Sequence, residues 1–167
     1  MRILIITDDK CEDSEVLYPY YRIQEEGWDV DIAAMTKKTV QAKFHSLIET
    51  DRAVAELLPE DYDGLVLPGG SAPEKLRLNP DVLRISREIF RAGKPVAAIC
   101  HGAQVLMSAG VLNGYTATCY PGVQDDLKNC GAAFRDEAVV VDRNLVTSRR
   151  PVDLPYFMRE FVKLCKQ

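Results

Sequence analysis

The chain has 167 residues, 47% of them hydrophobic and 28% charged, enough apolar material for one core and too little bias for disorder or a fibrous repeat. Lys plus Arg number 21 and Asp plus Glu 25, a net charge of −4, which argues against nucleic acid or an anionic membrane as a partner, since either would select a basic footprint. The longest apolar runs (Ile3–Ile6, Val96–Cys100, Ala138–Val141) are strand-sized and none could span a bilayer. Met1-Arg2 leads straight into the first of them with no signal-peptide pattern, so a single cytoplasmic domain over 1–167 is expected.

In chain order, Ile3–Ile6 reads as a strand covered on both faces, ended by Thr7-Asp8-Asp9. Ser14–Glu26 has apolar residues at helical spacing and a glycine stop at Gly27, with Pro19 expected to kink or restart the helix. Trp28–Ala34 alternates as a second strand. Thr39–Thr50 reads as a small β excursion and Ala53–Leu58 as a short helix. Gly64–Leu67 is a third strand, closed by Pro68-Gly69-Gly70. Pro80–Ala92 is a helix with Asn79 as N-cap and Gly93 as stop. Val96–Ile99 is a fourth strand and His101–Ala109 a helix ended by Gly110. Tyr115–Cys119, Ala138–Val141 and Leu145–Thr147 follow as strands, with a turn at Asp142-Arg143-Asn144. Leu154–Lys166 closes the chain as a helix, with Asp153 as N-cap. Strands alternating with helices predict an α/β fold, a mostly parallel sheet with helices on both faces. Ligands in such folds bind beyond the carboxyl ends of the strands.

Of the residues there, Ala98-Ile99-Cys100-His101-Gly102 is the most informative stretch. A strand enters a tight turn and a helix, with cysteine at the turn and small residues two positions to either side. This is the pattern of a nucleophile elbow with Cys in place of Ser. The helix N-terminus predicts a lowered thiol pKa, and the His101 backbone N–H can face an oxyanion. The alternative is a small core residue. Gly69 and Gly70 offer a close backbone approach and a second N–H donor, or a plain turn. Glu12, protonated, could hydrogen-bond the sulfur, and otherwise belongs to an ordinary acidic helix start. His101 could act as a base oriented by Glu74, which is otherwise a solvated first-turn acid. Five cysteines, widely spaced and without CxxC, argue against a disulfide framework, and two isolated histidines argue against zinc.

Several stretches together carry a resemblance over nearly the whole chain: Glu12-Asp13, Tyr18-Pro19-Tyr20, Leu67–Gly70 with Ala72-Pro73-Glu74, Gly93–Gly102, Ser108–Leu112, Tyr120-Pro121-Gly122, Asp125-Asp126 and Met158–Leu164. In these the chain resembles the ThiJ/PfpI family, within the class I glutamine amidotransferase-like superfamily, and most of all its archaeal PfpI-type intracellular proteases. The resemblance implies a three-layer αβα sandwich, flavodoxin-like. It implies Cys100 as nucleophile, Glu12 as the carboxyl on its sulfur, the backbone of Gly70 and His101 as oxyanion site, and Tyr120 lining the site. It also implies that His101 pairs with Glu74 of an adjacent subunit, hence a homodimer or homohexamer. The family includes peptidases, cofactor-independent glyoxalases, deglycases, chaperones and oxidation sensors. The resemblance therefore implies a cofactor-free, metal-free cysteine enzyme acting on small carbonyl compounds, glycated adducts or peptides. The alternative is a non-enzymatic sensor or chaperone that uses oxidation of Cys100. The stretch Gln41–Ser46 and Ser71 depart from the family pattern, so a different packing of the excursion and different interface or substrate contacts at 71 are expected. Cys11 beside Glu12 would make the site more redox-responsive.

Overall fold

The computed structural model describes every residue, Met1–Gln167. The strands are β1 (Arg2–Ile6), β2 (Asp29–Ala34), β3 (Thr39–Gln41), β4 (Leu47–Glu49), β5 (Arg52–Ala53), β6 (Gly64–Leu67), β7 (Val96–Ile99), β8 (Thr116–Ala117), β9 (Ala133–Phe134), β10 (Val139–Asp142) and β11 (Leu145–Ser148). The helices are α1 (Asp13–Glu25), α2 (Ala72–Leu76), α3 (Pro80–Arg91), α4 (Ala103–Ala109), α5 (Gln124–Asn129) and α6 (Leu154–Cys165).

Seven strands form one sheet in the order β10-β11-β7-β6-β1-β2-β5, parallel throughout except for the β10–β11 hairpin at one edge. The central runs Ile3–Ile6, Gly64–Leu67 and Val96–Ile99 are buried along their length because helices cover both faces. α1 packs beside α6 on one face, and α3, α4, α2 and α5 neighbour one another on the other, giving the three-layer α/β fold that the resemblance implies. No helix is long and apolar enough to cross a membrane.

Local chemistry sets the start of α3, the one helix with a side-chain cap. The Asn79 side chain accepts from the Asp81 and Val82 N–H groups at 2.9 and 3.1 Å, capping α3. Four expectations are corrected. α1 runs unbroken through Pro19, which is buried within it. Ala53–Leu58 is not a helix: it holds β5 and a single 3-10 turn at Val54–Glu56, and Pro59 keeps Leu58 extended. Asp153 does not cap α6, because its carboxylate turns back to Arg149 at 3.0 Å. Of Tyr115–Cys119 only Thr116–Ala117 is strand, and it pairs with β9 outside the main sheet.

The sheet order decides where chemistry can occur. β7, β6 and β1 are adjacent, so the residues that follow them (Cys100, Gly69-Gly70 and the start of α1) meet at one carboxyl edge.

Candidate active site

At that edge Cys100 takes the left-handed conformation, φ 61°. A non-glycine residue there is strained, and such strain is found where a side chain must be presented outward at a sharp turn. Gly102 explains the demand for a small residue two positions on: a Cβ there would run into the Leu67 carbonyl. A 3-10 turn over Cys100–Gly102 leads into α4.

The group opposite the thiol is Glu15, not Glu12. Glu15 lies in the first turn of α1, fully buried. One carboxyl oxygen accepts the Gly69 N–H at 2.8 Å; the other is buried with no hydrogen-bond partner, and the carboxyl shares the cavity lining with the Cys100 thiol, close enough for its charge to act on it. Burial pushes the Glu15 pKa up to about 8, and the Glu12 charge pushes the same way against the Gly69 hydrogen bond. Glu15 therefore keeps its proton at pH 7 and can donate it. Glu12 sits at the helix N-cap in extended backbone. Its carboxylate faces Lys43 at 3.7 Å and the Ser14 hydroxyl at 3.4 Å, so the buried carboxyl beside the thiol lies one turn later than the resemblance implies. The sequence carried a signal for this. Glu15, Pro19 and Ile23 recur every fourth position with Val16 beside them, so Glu15 is a carboxyl group on the apolar stripe of α1.

The expectation of a thiol lowered by the elbow is also corrected. Burial pushes the Cys100 thiol up to about 12, with an ionised Glu15 as the second cause, while the N–H groups of His101 and Gly70 pull it down. With Glu15 protonated at pH 7 the repulsion is absent, and the carboxyl becomes a donor toward the sulfur.

His101, the sequence neighbour of Cys100, does reach it: Nδ1 lies 3.3 Å from the sulfur. The imidazole stacks on Tyr120, ring centroids 4.8 Å apart. Burial lowers its pKa, against the opposing charge of Glu74, so the ring is neutral at pH 7. Glu74 is exposed on α2 and makes no hydrogen bond to His101 within the chain. Gly69 does not line the pocket, because its N–H is committed to Glu15. Gly70 and Tyr120 do, together with Glu12, Glu15, Cys100 and His101, around a cavity of about 210 Å³. Lys43, Ser71, Arg150 and Pro151 complete that lining. Arg150 lies just after β11, a strand end that sequence reading left unexamined.

The remaining cysteines stay out of the pocket. Burial pushes Cys11 up to about 11 and Cys119 and Cys165 up to about 12. Cys11 is fully buried, which argues against the redox role its position suggests. No three His, Cys, Asp or Glu side chains cluster as metal ligands.

A family model, the DJ-1/PfpI family, matches residues 1–164. The chain belongs to the DJ-1/PfpI family. Among its relatives, Deglycase PfpI of Pyrococcus furiosus is 49% identical over 166 residues, covering 99% of this chain and all of that one. Protein/nucleic acid deglycase 2 of Escherichia coli is 40% identical, covering 98% and 96%. Among solved structures, a two-domain protein from Anabaena variabilis with DJ-1/ThiJ/PfpI-like and ferritin-like domains superposes with a TM-score of 0.95 at 35% identity. The match covers 97% of this chain and 47% of that one. The DJ-1/PfpI fold thus accounts for the three-layer α/β architecture of the whole chain.

Proposed function

We propose that the chain is a cofactor-independent cysteine enzyme acting on small carbonyl compounds, of the glyoxalase or deglycase type. The observation that carries this is the Cys100 thiol held at a strained elbow between the protonated Glu15 carboxyl and the neutral His101 ring. Related proteins named deglycases support it. The cavity of about 210 Å³ lies below the ~300–1,000 Å³ of pockets for drug-sized ligands, which favours a small carbonyl over a folded peptide segment.

The steps balance without an external oxidant. The sulfur adds to the aldehyde carbon of a 2-oxoaldehyde, and the thiol proton leaves through His101 Nδ1. The N–H groups of Gly70 and His101 hold the alkoxide as it forms and takes up a proton. The proton on the former aldehyde carbon then moves to the former ketone carbon, while the hydroxyl proton on the former aldehyde oxygen is passed to the former ketone oxygen. One carbon is oxidised and its neighbour reduced, leaving a thioester that water cleaves to a 2-hydroxy acid and the free thiol. Glu15, with a pKa near neutrality, is suited to give and retake the proton. A glycation adduct on an amine or thiol would enter at the same point and release its carrier. Glu74 of a neighbouring copy would approach His101 if the chain forms a homo-oligomer, and light scattering at micromolar concentration reads that state.

The test is conversion of methylglyoxal to lactate, and release of lactate from its adduct with N-acetylcysteine. Wild type should turn over both and Cys100→Ser neither. Turnover that survives in Cys100→Ser overturns the reading by removing Cys100 from the chemistry; none in wild type, with oxidation of Cys100 intact, overturns it in favour of a sensor.

A further inference from the structure

The surroundings of the thiol are cationic in a protein whose net charge is negative. The ionised side chains lining the cavity are Lys43 and Arg150 against the single carboxylate Glu12, since Glu15 keeps its proton at pH 7. Glu12 faces Lys43 at 3.7 Å. Arg150 is left with no ion pair and no side-chain hydrogen bond. The reason is next to it in the chain: Arg149 takes both nearby carboxylates, Asp136 at 2.8 Å and Asp153 at 3.0 Å. An unpaired, exposed guanidinium lining the mouth of a small cavity is a free donor fork for a carboxylate or phosphate.

The positive field extends past the cavity. Lys43 and Ser71 also line a second cleft of about 280 Å³, shared with Lys10, Gln41, Ala42 and His45 and holding no carboxylate. This is the stretch Gln41–Ser46 in which the sequence departs from the family pattern. It is pinned against α1 by the Asp13 carboxylate, which accepts the Phe44 and Ser46 N–H groups at 2.7 and 3.0 Å. Lys43 is thus held between the thiol and the second cleft.

We infer that the substrate carries an anionic group beside its carbonyl, a carboxylate or phosphate, which Arg150 and Lys43 bind as specificity-determining residues while Cys100 attacks. The inference rests on the carbonyl-enzyme reading for its chemistry, but the charge preference of the cavity is measurable without turnover. An anion held by these two cations brings its carbonyl into the cavity above the sulfur. A neutral carbonyl compound of the same size has only Gly70 and His101 to hold it.

The first experiment compares alkylation of Cys100 by iodoacetate and iodoacetamide, reagents of equal size that differ by one negative charge, read by peptide mass spectrometry. The ratio of the two rates should fall about fivefold or more in Arg150→Ala and in Lys43→Ala. It should recover in Arg150→Lys and stay at the wild-type value in Arg159→Ala, an exposed arginine outside the cavity. A ratio that is the same in all five proteins overturns the inference.

The second compares kcat/KM for 4,5-dioxopentanoate, 3-phosphooxy-2-oxopropanal and neutral 2-oxopentanal. The anionic compounds should be preferred about tenfold at low salt, and the preference should shrink as salt rises. Which anion leads distinguishes carboxylate from phosphate. Turnover of all three at equal efficiency overturns the inference and leaves the carbonyl-enzyme reading standing. If none is turned over while the alkylation ratio behaves as expected, the reading of the reaction falls and the anion preference is upheld.

Discussion

Glu15 and Gly69, 54 positions apart in sequence, are joined by a buried hydrogen bond of 2.8 Å. The bond fixes α1 to the turn after β6 and aims a carboxyl group at the thiol that ends β7. A Cβ at Gly69 would lie 2.7 Å from the Glu15 oxygen and from the Cys100 Cβ, so the three groups occupy one volume. The carboxyl that matters is thus set by packing and not by its place just after the first strand.

Catalysis should therefore separate Glu15 from Glu12. Glu15→Gln keeps the shape and removes the proton donor, and kcat on methylglyoxal should drop by about 10²-fold, the usual worth of a positioned acid–base group. Glu12→Gln should stay within about threefold of wild type. Equal losses in the two variants would return the role to Glu12.

The pH dependence of activity should be bell-shaped. His101, lowered by burial below its ordinary 6.5, accepts the thiol proton only when neutral, so the acid limb falls below that value. Glu15 must hold its proton, so the alkaline limb falls as pH rises through about 8. In Glu15→Gln the residual activity should keep the acid limb and lose the alkaline one, which a pH series of initial rates would show.

Stability should depend on pH through the same carboxyl. Unfolded, Glu15 loses its proton near 4.5; folded, it keeps it up to about 8. Between those values the folded chain binds more protons, so the stability Glu15 contributes is full below pH 4.5 and is lost as pH rises through about 8. The span is on the order of 4–5 kcal/mol. Urea unfolding at pH 5 and pH 8.5 should show that fall in wild type and a much smaller one in Glu15→Gln.

The Asp13 carboxylate should anchor the β3–β4 excursion. Burial works against its charge, and hydrogen bonds from Ser46 and the Phe44 N–H outweigh this and hold its pKa below the ordinary value. Asp13→Ala should cost about 2 kcal/mol and speed hydrogen exchange at the Phe44 and Ser46 amides, leaving the Asn79-capped amides of Asp81 and Val82 protected. The anchor is lost in wild type too as pH falls through the folded pKa of Asp13.

Gly102→Ala should be the most damaging single methyl. The added Cβ meets backbone, the Leu67 carbonyl, which cannot swing aside as a side-chain tip would. A loss of about 2–4 kcal/mol is expected, read as a lowered thermal midpoint. An unchanged midpoint would mean the elbow has room that the structure denies it.

What the sequence determined by itself were features carried by neighbours along the chain. Continuous apolar runs specify strands buried on both faces. Asn79 before Pro80 specifies a capped helix, and the elbow at Cys100 follows from Ala98 and Gly102 on either side. These depend on local sterics and hydrogen bonds within a few residues. Tertiary structure decided the rest. Glu12 and Glu15 are both acids at the start of one helix, and only the rotation of α1 against the sheet, set by burying Val16, Pro19 and Ile23, chooses which one meets the sulfur. Arg150 enters the cavity because β11 lies beside β7 in the sheet, a neighbour relation that chain order does not reveal. Even the thiol's electrostatics reverse direction, because burial and Glu15, which reach Cys100 through space, outweigh the backbone N–H of its chain neighbour His101.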